Sequence, residues 1–240
     1  MNRGVIDKGN TRLKVGIFNS KNELIRSETL ETIEQCELLF DDYSVNSVLI
    51  SNSGSDLEIT NKTRSYLKLN NEFTLPFTNL YQTPHTLGTD RTAALSAAVT
   101  IFPKTNVLIF DLGTCLTIDF INDKGEFKGG NISPGLKMRY KAMHEFTSKL
   151  PLVDVNNETV MMGNNTVNAL SNGGKFGLIF EIEGYINYYQ QQYSNLQIVF
   201  TGGDILHLDI TQKNKIFVDP NFVLHGLCHL LILNEKNINH

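Results

Sequence analysis

The chain has 240 residues, 41% of them hydrophobic and 19% charged, which excludes a disordered or fibrous protein and leaves enough chain to bury a core without disulfides or a structural metal. A net charge of -4 and a pI of about 5.9, with no dense Lys/Arg run, argue against a protein built to grip nucleic acid. No apolar run approaches a membrane span, and the first residues already carry Arg3, Asp7, Arg12 and Lys14, so a cytoplasmic protein with no signal peptide and no membrane partner is expected.

Period-two patterning predicts strands at 4–6, 13–18 and 45–50, and helical periodicity predicts helices at 32–40 and 61–66. An alanine-rich helix follows at 92–102, stopped by Pro103. The second half restarts with strands at 107–110 and 116–121, a turn at 122–125 and the glycine-proline segment GGNISPG at 129–135. Helices are predicted at 136–148, at 166–191 with a glycine-rich interruption at 173–177, and at 221–234; a strand at 197–201 runs into Gly202 and Gly203. Alternating strands and helices make the fold α/β. The boundary is expected near 103–106, giving domains at 1–104 and 105–240 that pack directly, because no linker composition separates them.

Cys36, Cys115 and Cys228 are odd in number and lack a CxxC pair, so they read as small buried residues rather than disulfide or zinc partners. His225 and His229 stand at i, i+4 spacing but without the glutamate of an HExxH motif, and read as ordinary side chains of an apolar helix.

One internal repeat stands out. VIDKGNTRLKVGIF, residues 5–18, and LIFDLGTCLTIDF, residues 108–120, each run from an apolar strand through Asp-x-Gly-[Asn/Thr] into an alternating strand. A single such turn is a common hairpin signal. Two copies, with Asn10, Thr11 and Thr114 following the glycines, present backbone N–H groups and short polar side chains as an anion site does. Asp7 and Asp111 add hard oxygen ligands for the cation that accompanies a polyphosphate. Lys14, on the strand leaving the first turn, either reaches phosphate or faces water. Neither a G-x-x-x-x-G-K-[ST] nor a G-x-G-x-x-G motif occurs.

The segment YQTPHTLGTDRTAALSAA, residues 81–98, has two readings. In one it is a helix start, with Thr89 as N-cap and Asp90 complementing the helix dipole. In the other Asp90 is a general base for an attacking hydroxyl, with Arg91 holding an anionic substrate or the transferred phosphoryl group. Residue chemistry alone favours the first, although it leaves Tyr81, Gly88 and Arg91 without a reason.

Together, DKGNTRLK, YQTPHTLGTDR, DLGTCLTID, GGNISPG, GNNTVNALSNGGKFG and TGGD, with Leu150 and Pro151 between, resemble the motifs of the type III pantothenate kinases in order and over nearly the whole chain. The resemblance implies an actin-like ATPase (ribonuclease H-like) fold, two related domains with the active site in the cleft between them. It also implies ATP-dependent phosphorylation of pantothenate to 4′-phosphopantothenate, the first step of coenzyme A biosynthesis. By the same resemblance ATP is contacted by Asp7, Lys8, Gly9, Asn10, Thr11, Arg12, Leu13, Lys14 and Thr114. Asp7 partners Mg²⁺, and Asp111 binds the monovalent cation, K⁺ or NH₄⁺. Asp90 matches the catalytic base; Gly88, Thr89, Asp90 and Arg91 match pantothenate contacts, as do Tyr81 and Thr166. The family implies a homodimer. Lys8 stands where the family usually has an uncharged residue, and Cys115 where alanine is commoner. The alternatives are a kinase for another hydroxylated substrate on the same fold, and an ATP-binding regulatory protein.

Overall fold

The chain begins with β1, Asn2–Lys8, which pairs antiparallel with β2, Leu13–Phe18, and this in turn pairs antiparallel with β3, Leu24–Leu30. The computed structural model describes residues 1–9, 13–52, 57, 59, 64–157, 160–207 and 216–238. Helix α1, Ile33–Asp42, starts at a capping box in which Thr32 and Gln35 satisfy each other's backbone N–H groups. It leads into β4, Val45–Asn52, parallel to β1, and β5, Ser65–Lys68, extends the sheet in parallel beyond β4. The short strand β6, Thr78–Asn79, precedes α2, Thr89–Ile101. Next come β7, Asn106–Leu112, β8, Cys115–Ile121, β9, Glu126–Pro134, α3, Leu136–Glu145, and α4, Thr166–Gln192. The described chain ends with β10, Leu196–Thr201, β11, Ile216–Val218, and α5, Phe222–Ile238.

Two compact units result. The first comprises Met1–Lys104, Ile121–Lys128 and Asn221–His240; the second comprises Thr105–Phe120 and Gly129–Pro220. A boundary at 104/105 therefore leaves out two returns to the first unit. The tip of the β8–β9 hairpin pairs with β6, Asn79 opposite Phe127, and α5 packs on β1, β2 and β4. The sheet of the first unit has the order β3-β2-β1-β4-β5, and that of the second includes β9-β8-β7-β10-β11. Counted within its own unit, each reads third, second, first, fourth, fifth. The repeat seen in the sequence is thus a repeat of topology, with Asp7 and Asp111 at the ends of equivalent first strands.

In the first unit the pleat sorts side chains to two faces. Ile6, Val15, Ile17, Val48 and Ile50 join Cys36 and Phe40 of α1 in one core. The opposite face takes α5 and, packed on α5 and β4, the small-residue helix α2. The helices approach so closely that a Cβ on Gly226 would collide with the Ala93 carbonyl. In the second unit Leu108, Phe110 and Leu112 of β7 pack with Phe200 of β10 against Leu178, Ile182 and Ile186 of α4.

Several expectations are corrected. Ser65 and Tyr66 lie in a strand rather than in a helix, and residues 61–63 fall outside the described residues. The sequence gives no sign of β3, since LIRSETL is an edge strand with no buried residue. The segment 129–134 is strand, the end of β9. Helix α4 runs unbroken through 173–177, because a helical glycine is needed there for packing: a Cβ on Gly174 would enter the Tyr140 ring of α3. Cys36 and Cys228 are buried, and burial pushes both thiols up to about 12, but Cys115 is only half-buried.

Candidate active site

In the first unit Asp7, one residue before the end of β1, shares the face of Val5, and period-two alternation gives Ser51 the face of Leu49 on the neighbouring strand. The two are direct partners in the β1–β4 register. Ser51 is fully buried, and its hydroxyl lies 2.9 Å from Thr89 Oγ1 in the first turn of α2. Burial above all, and then the nearby charge of Asp90, push the Asp7 carboxyl up to about 6, against the lowering effect of the Ser51 hydroxyl and the charge of Lys14. Asp7 Oδ1 is buried and, among the described residues, has no hydrogen-bond partner. Such an oxygen is in want of a donor or a cation.

The N-cap of α2 is Gly88, not Thr89, and the helix begins three residues before the predicted start at 92. Asp90 Oδ1 accepts the Arg91 backbone N–H at 2.8 Å, and the Gly88 carbonyl accepts from Thr92 N–H at 3.0 Å. A Cβ on Gly88 would displace that same Asp90 oxygen, so the glycine leaves room for the carboxylate as it is placed. Asp90 therefore serves the helix terminus and still lies near Asp7.

Arg91 is almost fully buried. Its guanidinium stands 5.8 Å from the ring centres of Tyr81 and Phe127, which stack on each other at 5.9 Å. Tyr81, Arg91 and Phe127 thus form one cluster, and a cavity of about 280 Å³ opens beside Thr89, lined also by Leu69, Phe73, Asn79, His85 and Leu87.

The second unit presents the other turn. Asp111 ends the apolar run of β7 opposite Thr201 of β10, and a Cβ on Gly202 would meet the Asp111 carboxylate and the Leu112 carbonyl. Gly202 has a φ of 96°, which a side chain would strain. Thr201 Oγ1 is buried and, among the described residues, has no hydrogen-bond partner. Gly135 closes on the 113–114 turn, donating to the Thr114 carbonyl at 3.1 Å, and a Cβ there would come within 2.6 Å of that oxygen. GGNISPG therefore braces the second Asp-x-Gly turn. Thr114 is exposed, and Thr166, the first residue of α4 after its N-cap Asn165, is exposed in the same unit.

Of the remaining predicted ATP residues, Lys8, Gly9 and Lys14 lie at the ends of β1 and β2, whereas the Leu13 side chain is buried in the core and leaves only its backbone for a ligand. Asn10, Thr11 and Arg12 lie outside the described residues. His225 packs edge-on against Phe18, and among the described residues no group of three His, Cys, Asp or Glu is arranged to hold a metal. Sequence reading missed Ser51 and Phe127. Ser51 is a lone serine ending an apolar strand, and Phe127 is one aromatic in a short alternating run; neither carries a signal until the strands are paired.

The family profile described as type III pantothenate kinase matches residues 5–188. A protein named type III pantothenate kinase from Christiangramia forsetii is 39% identical over 239 residues, covering 96% of this chain and 98% of that one. Among solved structures, a Baf family protein from Campylobacter jejuni, described as a transcriptional activator, superposes with a TM-score of 0.62 at 22% identity, over 99% of this chain and 100% of that one. The activator of 2-hydroxyisocaproyl-CoA dehydratase from Clostridium difficile, with bound ADPNP, superposes with a TM-score of 0.57 at 13% identity, over 100% and 98%. At these identities the structural likenesses establish the fold, an actin-like ATPase fold of two related α/β units. The sequence match establishes more: the chain belongs to the type III pantothenate kinase family.

Proposed function

We propose that this chain transfers the γ-phosphoryl group of ATP to the primary hydroxyl of pantothenate, forming 4′-phosphopantothenate and ADP in the first step of coenzyme A biosynthesis. The observation that carries the reading is the placement, within one unit, of Asp7 at the first phosphate turn beside Asp90 at the start of α2. Asp90 is the general base, taking the hydroxyl proton as the oxygen attacks phosphorus. Arg91, stiffened by Tyr81 and Phe127, holds the carboxylate at the far end of pantothenate, and Tyr81, Gly88, Thr89 and Thr166 complete its contacts.

Asp7, Lys8, Gly9, Asn10, Thr11, Arg12, Lys14 and Thr114 contact ATP, with Leu13 contributing its backbone. The unpartnered oxygen of Asp7 suits Mg²⁺, which is commonly held by one or two carboxylates together with substrate phosphates and which, when bound, offsets charge on those phosphates. Asp111, beside the unpartnered Thr201 hydroxyl, suits the monovalent cation, K⁺ or NH₄⁺. No described helix is long and apolar enough to cross a membrane, in keeping with a cytoplasmic enzyme. The homodimer is favoured by Phe180 and Tyr188, large side chains of α4 that are 55% and 59% exposed.

The test is ADP release from Mg·ATP with and without pantothenate, in K⁺ and in Na⁺ buffer. Release that requires both pantothenate and K⁺, with phosphopantothenate as product, is expected. ATP binding without phosphopantothenate in either K⁺ or NH₄⁺ would refute the assignment.

A further inference from the structure

We infer that Arg139 is a positioning residue of this active site: its guanidinium fork fixes the peptide group that holds the Thr114 turn, and so sets the affinity for nucleotide. The inference rests on the kinase reading above, in which Thr114 contacts ATP. Every residue it uses belongs to the second unit.

Three hydrogen bonds fan out from one side chain in α3. Arg139 Nε donates to the Pro134 carbonyl at 2.9 Å, and one terminal nitrogen donates both to Ser133 Oγ at 3.4 Å and to the Glu181 carboxylate of α4. Exposed ion pairs contribute little, but the Arg139 and Glu181 side chains are only 21% and 24% exposed. The planar guanidinium serves acceptors on two elements at once, which an ammonium on a flexible stem does not.

The Pro134 carbonyl and the Gly135 N–H are the two ends of one peptide group. That N–H donates to the Thr114 carbonyl at 3.1 Å, so a chain of hydrogen bonds runs from Arg139 through the peptide to the second Asp-x-Gly turn. Each bond polarises the next, and the peptide is held at both ends. The approach is close, since a Cβ on Gly135 would collide with the Gly113 and Thr114 carbonyls. A shift of residues 133–135 is therefore passed directly to the turn. Glu181 anchors the fork to a rigid element: it lies in α4 between Leu178 and Ile182, which pack in the core of the unit.

The test compares the wild-type protein with Arg139→Ala, Arg139→Lys, Glu181→Ala and the Arg139→Ala/Glu181→Ala double variant. Binding of Mg²⁺ with a non-hydrolysable ATP analogue is titrated by calorimetry, alongside KM for ATP, KM for pantothenate and thermal unfolding. Arg139→Ala should weaken analogue binding and raise KM for ATP by about 10-fold, the scale of one lost hydrogen bond from a charged group, with KM for pantothenate unchanged. Glu181→Ala should act in the same direction but less, because the bonds to residues 133 and 134 survive. The double variant should be no weaker than Arg139→Ala alone, because both changes break one chain. Arg139→Lys keeps a charge beside Glu181 and should keep the unfolding temperature, yet it cannot serve Pro134 as well and should not recover the affinity. It decides the point should Arg139→Ala fail to fold.

Wild-type nucleotide affinity in Arg139→Ala would overturn the inference. So would full recovery in Arg139→Lys, which would make charge alone the cause, or strictly additive losses in the double variant. Equal rises in both KM values that follow a fall in unfolding temperature would make Arg139 a packing residue. If the wild-type protein binds the analogue but makes no phosphopantothenate, the kinase reading fails separately, and the calorimetry still decides the role of Arg139. A wild-type protein that binds no nucleotide overturns both.

Discussion

Asp7 is the residue whose replacement should separate stability from function most sharply. Its carboxyl titrates at about 6 in the folded protein against 3.8 for the free side chain, with burial the largest cause. A carboxyl raised by folding binds its proton more tightly in the folded chain than in the unfolded one. It therefore costs nothing below 3.8, becomes progressively destabilising as the pH climbs toward 6, and exacts its full penalty above that. At about 1.4 kcal/mol per tenfold change in proton affinity, the full penalty is about 3 kcal/mol. Asp7→Asn, nearly isosteric and uncharged, should stabilise the nucleotide-free protein at pH 8 by about 1–3 kcal/mol, the lower end reflecting the desolvated amide. For a chain of this size that is roughly 2–10 °C in unfolding temperature.

At pH 5, where much of Asp7 is already protonated in the folded state, the advantage should shrink to roughly half. Mg·ATP should raise the unfolding temperature of the wild-type protein and leave that of Asp7→Asn unchanged. The assay is thermal unfolding of both proteins at pH 5 and pH 8 in EDTA, then with Mg·ATP at pH 8. A variant no more stable than wild type at pH 8, or an advantage equal at the two pH values, would refute the burial argument.

Three further outcomes are expected. Asp90→Asn should fold and bind ATP normally while kcat falls by about 10²-fold or more, the usual scale of a general base, and near-normal turnover would remove Asp90 from the chemistry. Asp111→Asn should raise the K⁺ concentration giving half-maximal activity; an unchanged K⁺ dependence would reject that ligand. Phe127→Leu removes a π-face from a buried arginine, an interaction worth about 1–2 kcal/mol, so KM for pantothenate should rise about 5- to 30-fold with kcat little changed. The alcohol analogue of pantothenate, which has no carboxylate for Arg91, should be unaffected; an equal effect on both substrates would show that Phe127 supports packing alone.

The turns that carry the candidate site were legible because one pattern, Asp-x-Gly at residues 7–9 and 111–113, occurs twice after apolar strands. Gly202, after another apolar strand, is a position where a positive φ and the closeness of Asp111 and Leu112 limit the choice of residue. Gly88 and Asp90 belong to the same class, as their close contact shows. What misled was local composition read without packing. Glycines at 173–177 signalled a break, but α4 continues because Gly174 makes room for Tyr140. Thr89 looked like an N-cap, yet Gly88 fills that position and the Thr89 hydroxyl is used by Ser51 instead.

By itself the sequence determined the α/β class, the duplicated acid turn, most of the helices and the order of the motifs, all properties of short segments whose periodicity or steric demands are local. Only the tertiary structure decided which distant residues share a site. Strand pairing set Ser51 opposite Asp7 and Thr201 opposite Asp111, and the return of the β8–β9 tip to β6 brought Phe127 to Arg91. It also decided the electrostatics, since the elevated Asp7 carboxyl comes from burial and from Asp90, more than 80 residues away in the chain. Register and desolvation are properties of the packed sheet, and no window of sequence contains them.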